Sequence, residues 1–280
     1  VILVDGSKHR LDQQRQKLEL AHPDLVGRVE LWLVDDWLDK QTPIENSVVF
    51  ANEFFDALPV HLLEASDEPQ STISELHIVL DELNQLAFRR SELTDQAVIE
   101  HLEQLFLAGD IPTRVPISGT RIEVNLLACE FMARVSKKIV NGYMFISDYG
   151  YEAFDLYASW RKSGTLMAFR GHNVQQNVLD LPGITDLTAH VNFTALARAA
   201  GESWVSDELI SQAEVLVSLG AFGLLDSQSG WAQRRPDRFL VARKAIETLT
   251  DPNGLGRVRV RVMRRNVPTE RLLCQSEVLV

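Results

Sequence analysis

Four apolar runs of this chain each end in polar side chains, and this pattern constrains the fold more than any other feature of the sequence. The runs are rich in Val, Ile, Leu and Phe, which is typical of strands buried in a parallel sheet. Helical or loop segments separate the first three runs, as in alternating α/β folds. The sequence therefore predicts an α/β fold whose strands end in Asp5, Asp35 with Asp36, Asn52 with Glu53, and Asp148 with Tyr149.

These polar ends also indicate where a ligand would bind. In an open parallel sheet, ligands occupy the crevice outside the carboxyl ends of the strands. An acid at the end of the second strand of such a fold typically accepts hydrogen bonds from ribose hydroxyls, which is the role that Asp5 would take. The alternative is structural: Asp5 would open a turn with Gly6 and cap the following helix.

The stretch "SVVFANEFFDALPVH", Ser47 to His61, holds the densest group of acids after a strand. If the chain coils after the strand, Glu53 and Asp56 lie on one face and can bracket a single cation. A guanidinium fits such a pair, because each carboxylate can accept charge-assisted hydrogen bonds from it. Asn52 adds an amide at the strand end. The alternative is that Glu53 and Asp56 cap a helix that begins near Phe54.

Composition narrows the partners and the compartment. The chain has 280 residues, of which 45% are hydrophobic, and its formal net charge is −11. Its Lys and Arg residues form no long run, so nucleic acid is not an expected partner, whereas a basic substrate is. Two cysteines are too few for a disulfide framework or a zinc site. No apolar run reaches the roughly 18 to 20 residues that span a bilayer. These features predict a cytoplasmic protein without a metal or a membrane segment.

Several common catalytic motifs are absent from the sequence. It has no G-x-S-x-G, no H-E-x-x-H and no Walker loop, and "GLGR" lacks the third glycine of a dinucleotide fingerprint. Simple hydrolases, zinc proteases and nucleotide triphosphatases therefore lose support, and nothing supplies a hydride-transfer site. Near the C-terminus, "RVRVRVMRR" alternates strictly, which predicts a half-exposed edge strand with arginines outward. "SQAEVLVSLGAFGLL" predicts one apolar helix.

"ANEFFDALPVH" resembles the signature of the MidA-type methyltransferases, an S-adenosylmethionine-dependent family that includes the mitochondrial complex I assembly arginine methyltransferase. Further segments resemble the family in the same order along the chain, so the resemblance covers essentially all of it. They are "FISDYGY" (Phe145 to Tyr151), "GTLMAFRGH" (Gly164 to His172), "PGITDLTAHVNFTALA" (Pro182 to Ala197), "SQAEVLVSLG" (Ser211 to Gly220) and "LTDPNGLGRVRV".

The resemblance implies a Rossmann-like class I methyltransferase sheet with an inserted α+β cap. Residues 1–61 would form part of the cofactor-binding core, residues 62–120 the cap, and residues 121–280 the rest of the core with the C-terminal strands. Family members carry a first strand and a glycine-rich loop before the segment that corresponds to Val1, and this chain has neither. The resemblance thus leaves "VILVD" and "SVVFAN" without the strand that the family places between them, and we expect residues that precede Val1 in the natural protein.

The resemblance also implies S-adenosyl-L-methionine as cofactor and an arginine of a protein as methyl acceptor, with a respiratory-complex subunit among the candidate partners. Glu53 and Asp56 would clamp the acceptor, with Asn52 and His190 as further catalytic residues. Asp5, Asp36 and Asn52 would bind the cofactor, and Asp148, Tyr149 and His172 would contact the substrate. His190 could instead only tie its loop to the next helix.

Alternatives in function, compartment and oligomeric state stay open at this stage. The chain could be a non-catalytic assembly factor that binds a protein partner with the same fold. It could also be a methyltransferase for another nitrogen or for a small molecule. The mitochondrial matrix is the alternative compartment, and an oligomer is compatible with the sequence.

Overall fold

The computed structural model describes residues 1–40, 42–66, 73–111, 118–171, 173–227 and 234–268, with Glu270, Leu272 and Cys274. The strands within these residues are β1 (Ile2–Asp5), β2 (Glu30–Leu33), β3 (Ser47–Asn52), β4 (His61–Ala65), β5 (Ile73–Leu80), β6 (Leu86–Glu92), β7 (Arg121–Val124), β8 (Gly142–Asp148), β9 (Gly150–Tyr151), β10 (Met167–Arg170), β11 (Asn173–Gln175), β12 (Asp186–Thr188), β13 (Val191–Asn192), β14 (Val205–Ser206), β15 (Ile210–Ser211) and β16 (Arg259–Arg265). The α-helices are α1 (Lys8–Ala21), α2 (Val34–Asp39), α3 (Gln96–Leu107), α4 (Leu126–Lys138), α5 (Ala153–Leu156), α6 (Phe193–Ala200), α7 (Gln212–Ser218), α8 (Ala221–Ser227) and α9 (Pro236–Thr250). Short 3-10 helices cover Pro23–Arg28 and Leu255–Arg257.

The main sheet has the strand order β14-β16-β8-β3, and β15 also pairs with β16. Strands β3 and β8 are parallel, with Ser47 opposite Gly142 and Asn52 opposite Ser147. Strand β16 is antiparallel to β8. The carboxyl ends of β3 and β8 therefore meet at one edge of the sheet, which brings the residues after Asn52 next to Asp148.

Helices α4 and α6 cover one face of this sheet. Their apolar residues recur at helical spacing, and Met132, Val135 and Leu196 are buried in the core together with Met144 and Ile146 of β8. Burial of such a stripe provides most of the stability of a surface helix, because short isolated helices are marginal in water. The other face of β3 differs, since Val48 and Phe50 are exposed.

Strands β1 and β2 form a separate two-stranded parallel sheet, in which Asp5 lies opposite Leu33. Val4 and Trp32 pack against the core cluster that also buries Trp37 of α2. Within the described residues, no backbone pairing joins β1 to β3. The strands that the sequence predicts as one parallel sheet are thus divided between two sheets.

A second layer of structure follows β3. Strands β6, β5, β4 and β7 form an antiparallel sheet in that order, and α3 packs on it through Val98 and Leu102. We expected the inserted cap over residues 62–120, whereas the sheet extends from His61 to Val124, because β7 pairs with β4. The cap boundaries at residues 62 and 120 stay a prediction.

Two sequence predictions about the C-terminal region were wrong. Strand β16 is an interior strand, not an edge, and Arg261 is only 6% exposed because its guanidinium bonds Glu152 and the Asp207 carbonyl. The predicted single apolar helix is two helices, α7 and α8, separated at Leu219 and Gly220. Gly220 has φ +78°, a conformation that glycine adopts without steric cost and that ends a helix readily.

Candidate active site

The turn that follows β3 is the centre of the candidate site. Residues 53–60 form turns and bends, not a helix, so the alternative that Glu53 and Asp56 cap a helix is wrong. Glu53 has φ +45°, a left-handed conformation that costs free energy for a residue with a side chain. Its N–H donates to the Ser147 carbonyl at 2.9 Å, and its side chain is exposed. The turn therefore presents Glu53 to solvent at the carboxyl edge of the sheet.

Asp148, at the end of β8, forms hydrogen bonds with the backbone of this turn. It is 0% exposed. Its Oδ2 accepts hydrogen bonds from the N–H groups of Phe54 (3.1 Å), Phe55 (2.9 Å) and Asp56 (3.4 Å), and its Oδ1 accepts from the Tyr149 N–H (2.8 Å). Both oxygens are thus directed at backbone. The predicted role of Asp148 as a substrate contact does not fit this burial, because a substrate could not reach the carboxylate.

Asp56 lies beside Asp148 and is 7% exposed. Burial raises the pKa of Asp56, and the neighbouring charge of Glu53 raises it further. Burial also raises the pKa of Asp148, to about 7, and the charge of Asp56 adds to the shift despite the backbone N–H donors. Like charges this close disfavour simultaneous ionisation, so the pair holds a proton near neutral pH. Glu53, Asp56 and Asp148, which we call the turn cluster, thus combine a buried proton-holding pair with an exposed carboxylate.

Tyr149 and His190 border the turn cluster. Burial raises the pKa of the Tyr149 hydroxyl, and the charge of Glu53 contributes. The Ala189 N–H donates to the Asp56 carbonyl at 3.0 Å, which places His190 next to the turn. Burial lowers the pKa of His190 to about 4, with Arg161 and Arg257 contributing, so its imidazole is neutral at physiological pH.

The predicted cofactor residues lie at the ends of β1, β2 and β3. Asp5 Oδ1 accepts hydrogen bonds from the Ser7 N–H at 2.8 Å and from Arg10 Nε at 3.1 Å. Asp36 is exposed in the first turn of α2, directly after β2, and Asn52 is exposed at the end of β3. Carboxylate and amide oxygens in such places fit the hydroxyl and amine groups of a nucleoside. His172 lies outside the described residues.

Two residues of this site were not found from the sequence. Asn125 accepts from the Ala128 N–H at 2.8 Å as the N-cap of α4, and its amide donates to the carbonyls of Phe55 (3.2 Å) and Leu58 (3.4 Å). The asparagine before a helical pattern was a signal for the cap but not for the contact with the turn. Arg161 lies over the Tyr151 ring at 4.4 Å, and that ring is 5.4 Å from the His190 ring. Nothing local in the sequence indicates this stack.

The described residues lack both a metal-binding cluster and a membrane-spanning helix. No group of three or more His, Cys, Asp or Glu side chains is arranged there to hold a metal ion. No helix there has both the length and the apolar character that a membrane crossing requires.

A Rossmann-like α/β domain with acids and amides at the carboxyl edge of its strands is typical of nucleoside-binding α/β proteins. Residues 1–209 match the family described as "Putative S-adenosyl-L-methionine-dependent methyltransferase". The chain belongs to this family, and the resemblance to MidA-type methyltransferases is confirmed.

Individual relatives agree with this assignment. The chain is 28% identical over 176 residues to the mitochondrial protein arginine methyltransferase NDUFAF7 of Danio rerio, a match that covers 62% of this chain and 37% of the relative. It is 29% identical over 212 residues to the homologue of Drosophila melanogaster, covering 75% of this chain and 45% of the relative. The chain therefore spans less than half the length of these relatives.

Solved structures show the same fold. A protein of Burkholderia thailandensis, described as a "likely methyl transferase" and bound to S-adenosyl-homocysteine, superposes with a TM-score of 0.80 at 25% identity. The superposition covers 98% of this chain and 65% of that one. The predicted α/β methyltransferase fold is confirmed.

Proposed function

We propose that this chain is part of an S-adenosyl-L-methionine-dependent methyltransferase that modifies an arginine side chain of a protein. The turn cluster is the observation that supports the acceptor. It places an exposed carboxylate, Glu53, beside a buried pair in which Asp56 and Asp148 hold a proton. The names of the NDUFAF7 relatives, all protein arginine methyltransferases, support the same acceptor.

When bound, S-adenosyl-L-methionine would supply an electrophilic methyl group on a positively charged sulfur for transfer to a nitrogen of the acceptor. Asp5 and Asp36 would hold its nucleoside part through hydroxyl and amine hydrogen bonds, and Asn52 would contact cofactor or acceptor. The fit rests on the carboxylate acceptors that follow β1 and β2 and on the exposure of Asp36 and Asn52.

The acceptor side needs a group that holds a guanidinium and a group that removes a proton. Glu53 would hold the guanidinium through charge-assisted hydrogen bonds and localise its positive charge. Asp56 would accept the proton that leaves the nitrogen, because burial raises its pKa and so makes its carboxylate a stronger base than that of an exposed Asp. His190 is a weak base, so we assign it a hydrogen bond to the acceptor, with Tyr149 beside it.

Two measurements test this function. Calorimetric titration with S-adenosyl-L-methionine should show binding, and transfer of a labelled methyl group to arginine peptides should be lost in Glu53→Gln while cofactor binding persists. Absence of cofactor binding would favour the non-catalytic assembly factor. Transfer to lysine or to small molecules, but not to arginine, would overturn the acceptor.

The partner and compartment belong to the same proposal. A protein substrate follows from an arginine acceptor, and a respiratory-complex subunit stays a prediction, as does an oligomer. The cytoplasmic location predicted from composition also stays a prediction. The relatives named as mitochondrial support the matrix alternative, and fractionation of cells that express the whole protein would decide between the two.

A further inference from the structure

The Asp148 carboxylate accepts hydrogen bonds from several backbone N–H groups of the candidate turn. One oxygen of its carboxylate accepts from three successive N–H groups, those of Phe54, Phe55 and Asp56. The second oxygen accepts from the next N–H of its own strand end, that of Tyr149. One buried side chain thus satisfies four backbone donors, of which those of Phe55 and Asp56 form buried hydrogen bonds.

The backbone of the turn is strained at Glu53, the residue proposed to hold the guanidinium. Glu53 has φ +45°, which is disfavoured for any residue with a Cβ and persists only where the surroundings fix it. The N–H of Glu53 is fixed by the Ser147 carbonyl, and the next three N–H groups are fixed by Asp148. Asp148 therefore acts immediately after the strained residue.

Further hydrogen bonds to carbonyl oxygens of the turn also hold it in place. The amide of Asn125 donates to the carbonyls of Phe55 and Leu58, and the Ala189 N–H donates to the Asp56 carbonyl. Asn125 and Ala189 thus bind carbonyl oxygens of the turn, whereas Asp148 binds its N–H groups. Between Glu53 and Asp56, Asn125 bonds the Phe55 carbonyl, whereas Asp148 bonds the N–H groups of Phe54 and Phe55.

We propose that Asp148 is a positioning residue: its carboxylate fixes the strained turn after β3, so that Glu53 and Asp56 face the acceptor together. It touches neither substrate nor cofactor and acts through the backbone of Phe54 to Asp56. The catalytic half of this inference rests on the proposed function, while the structural half does not.

Backbone amide exchange tests the structural half without any assay of activity. Asp148→Ala removes both acceptor oxygens, and Asp148→Asn keeps the shape but leaves only one. In Asp148→Ala we expect the amides of Phe54, Phe55 and Asp56 to exchange at least about tenfold faster, because their protection comes from that carboxylate. Exchange in the middle of β8 should not change. The matched control is Glu64→Gln, which alters a buried carboxylate of the inserted sheet.

If Asp148→Ala fails to fold, Asp148→Asn decides, because one oxygen cannot accept all four N–H groups. We then expect faster exchange at Tyr149 or at the turn amides, in an otherwise folded protein. Unchanged exchange at all four amides would overturn the proposal.

Kinetics test the catalytic half. In Asp148→Asn, kcat for methyl transfer should fall about 10- to 100-fold, because misplacement of about 1 Å has that effect, while the dissociation constant for the cofactor stays within about twofold. Asp148→Glu, which restores a carboxyl group with two oxygens, should recover part of the loss. A fall in kcat no larger than in Glu64→Gln would overturn the positioning role. If Glu53→Gln has no effect on turnover, the proposed function fails, and the exchange result still stands by itself.

Discussion

Buried acids in two parts of this molecule are stabilised in different ways: Glu64 in β4, and Asp56 with Asp148 at the turn after β3. In the inserted sheet, Glu64 accepts hydrogen bonds from Arg90 and from Arg121, the latter at 3.4 Å, so its charge is balanced. In the turn cluster, no Lys or Arg of the described residues forms an ion pair with Glu53, Asp56 or Asp148. Instead, backbone N–H groups and a held proton stabilise the carboxyl groups.

The contrast separates structural acids from functional ones. A buried carboxylate that only stabilises the fold is normally paired, because an unpaired charge in the interior is costly. Carboxylates that lie next to solvent without a basic partner lower the stability of the fold, but they can bind a cation from solution. This is why we place the acceptor site at the turn and not at Glu64, although both clusters contain buried carboxylates.

The largest expected effect is that of Glu53→Gln. Loss of the exposed carboxylate should lower the rate of methyl transfer to an arginine peptide by about 100-fold or more, the range that a positioned charged group contributes. Cofactor affinity, measured by calorimetry, should change little. Glu82→Gln, at an exposed acid of the inserted hairpin, is the control. Equal losses of rate and cofactor affinity would instead make Glu53 a cofactor ligand.

The next effect concerns the pH dependence of stability. Burial and the charge of Asp56 raise the pKa of Asp148 from 3.8 to about 7, so the folded state binds a proton that the unfolded state has released. The free energy of unfolding should therefore fall as pH rises from about 4 to about 7, by up to about 4 kcal/mol from this pair. In Asp148→Asn that contribution should disappear. Urea unfolding at pH 4.5 and at pH 8 measures it, and an unchanged slope would contradict the prediction.

A smaller loss of stability is expected at the paired cluster. Glu64→Gln leaves Arg90 and Arg121 without their carboxylate, but both side chains reach solvent, so the free energy of unfolding should fall by about 1 to 2 kcal/mol. Because the cluster has no part in the site, cofactor affinity should not change. A change in affinity would remove the distinction between the two clusters.

The smallest effect is expected for Arg90→Gln. The Arg90 side chain is 59% exposed and Arg121 stays beside Glu64, so the loss should be below about 1 kcal/mol. Thermal or urea unfolding at neutral pH measures it. A loss as large as that of Glu64→Gln would show that the two arginines act as one buried network, not as a partly solvated pair.

Much of the candidate site was predictable, because its residues follow local patterns. Asp5, Asn52 and Asp148 end apolar runs, and the structure places each at the carboxyl end of a strand. The spacing of Glu53 and Asp56 predicted that they lie close together, and the pKa of Asp56 responds to Glu53. The alternative that they cap a helix was wrong: the segment forms a turn, whose N–H groups are bound by Asp148, 92 to 94 residues away.

The sequence by itself determined the α/β class, the strand ends and the family, because hydrophobic runs and motifs act over a few residues. The tertiary structure decided which strand pairs with which, and therefore which acids are paired and which are not. Arg261 illustrates this: an alternating pattern predicts it outward, but β16 is enclosed by β8 and by β14 with β15. Such burial depends on neighbours distant in the chain, and no local pattern records them.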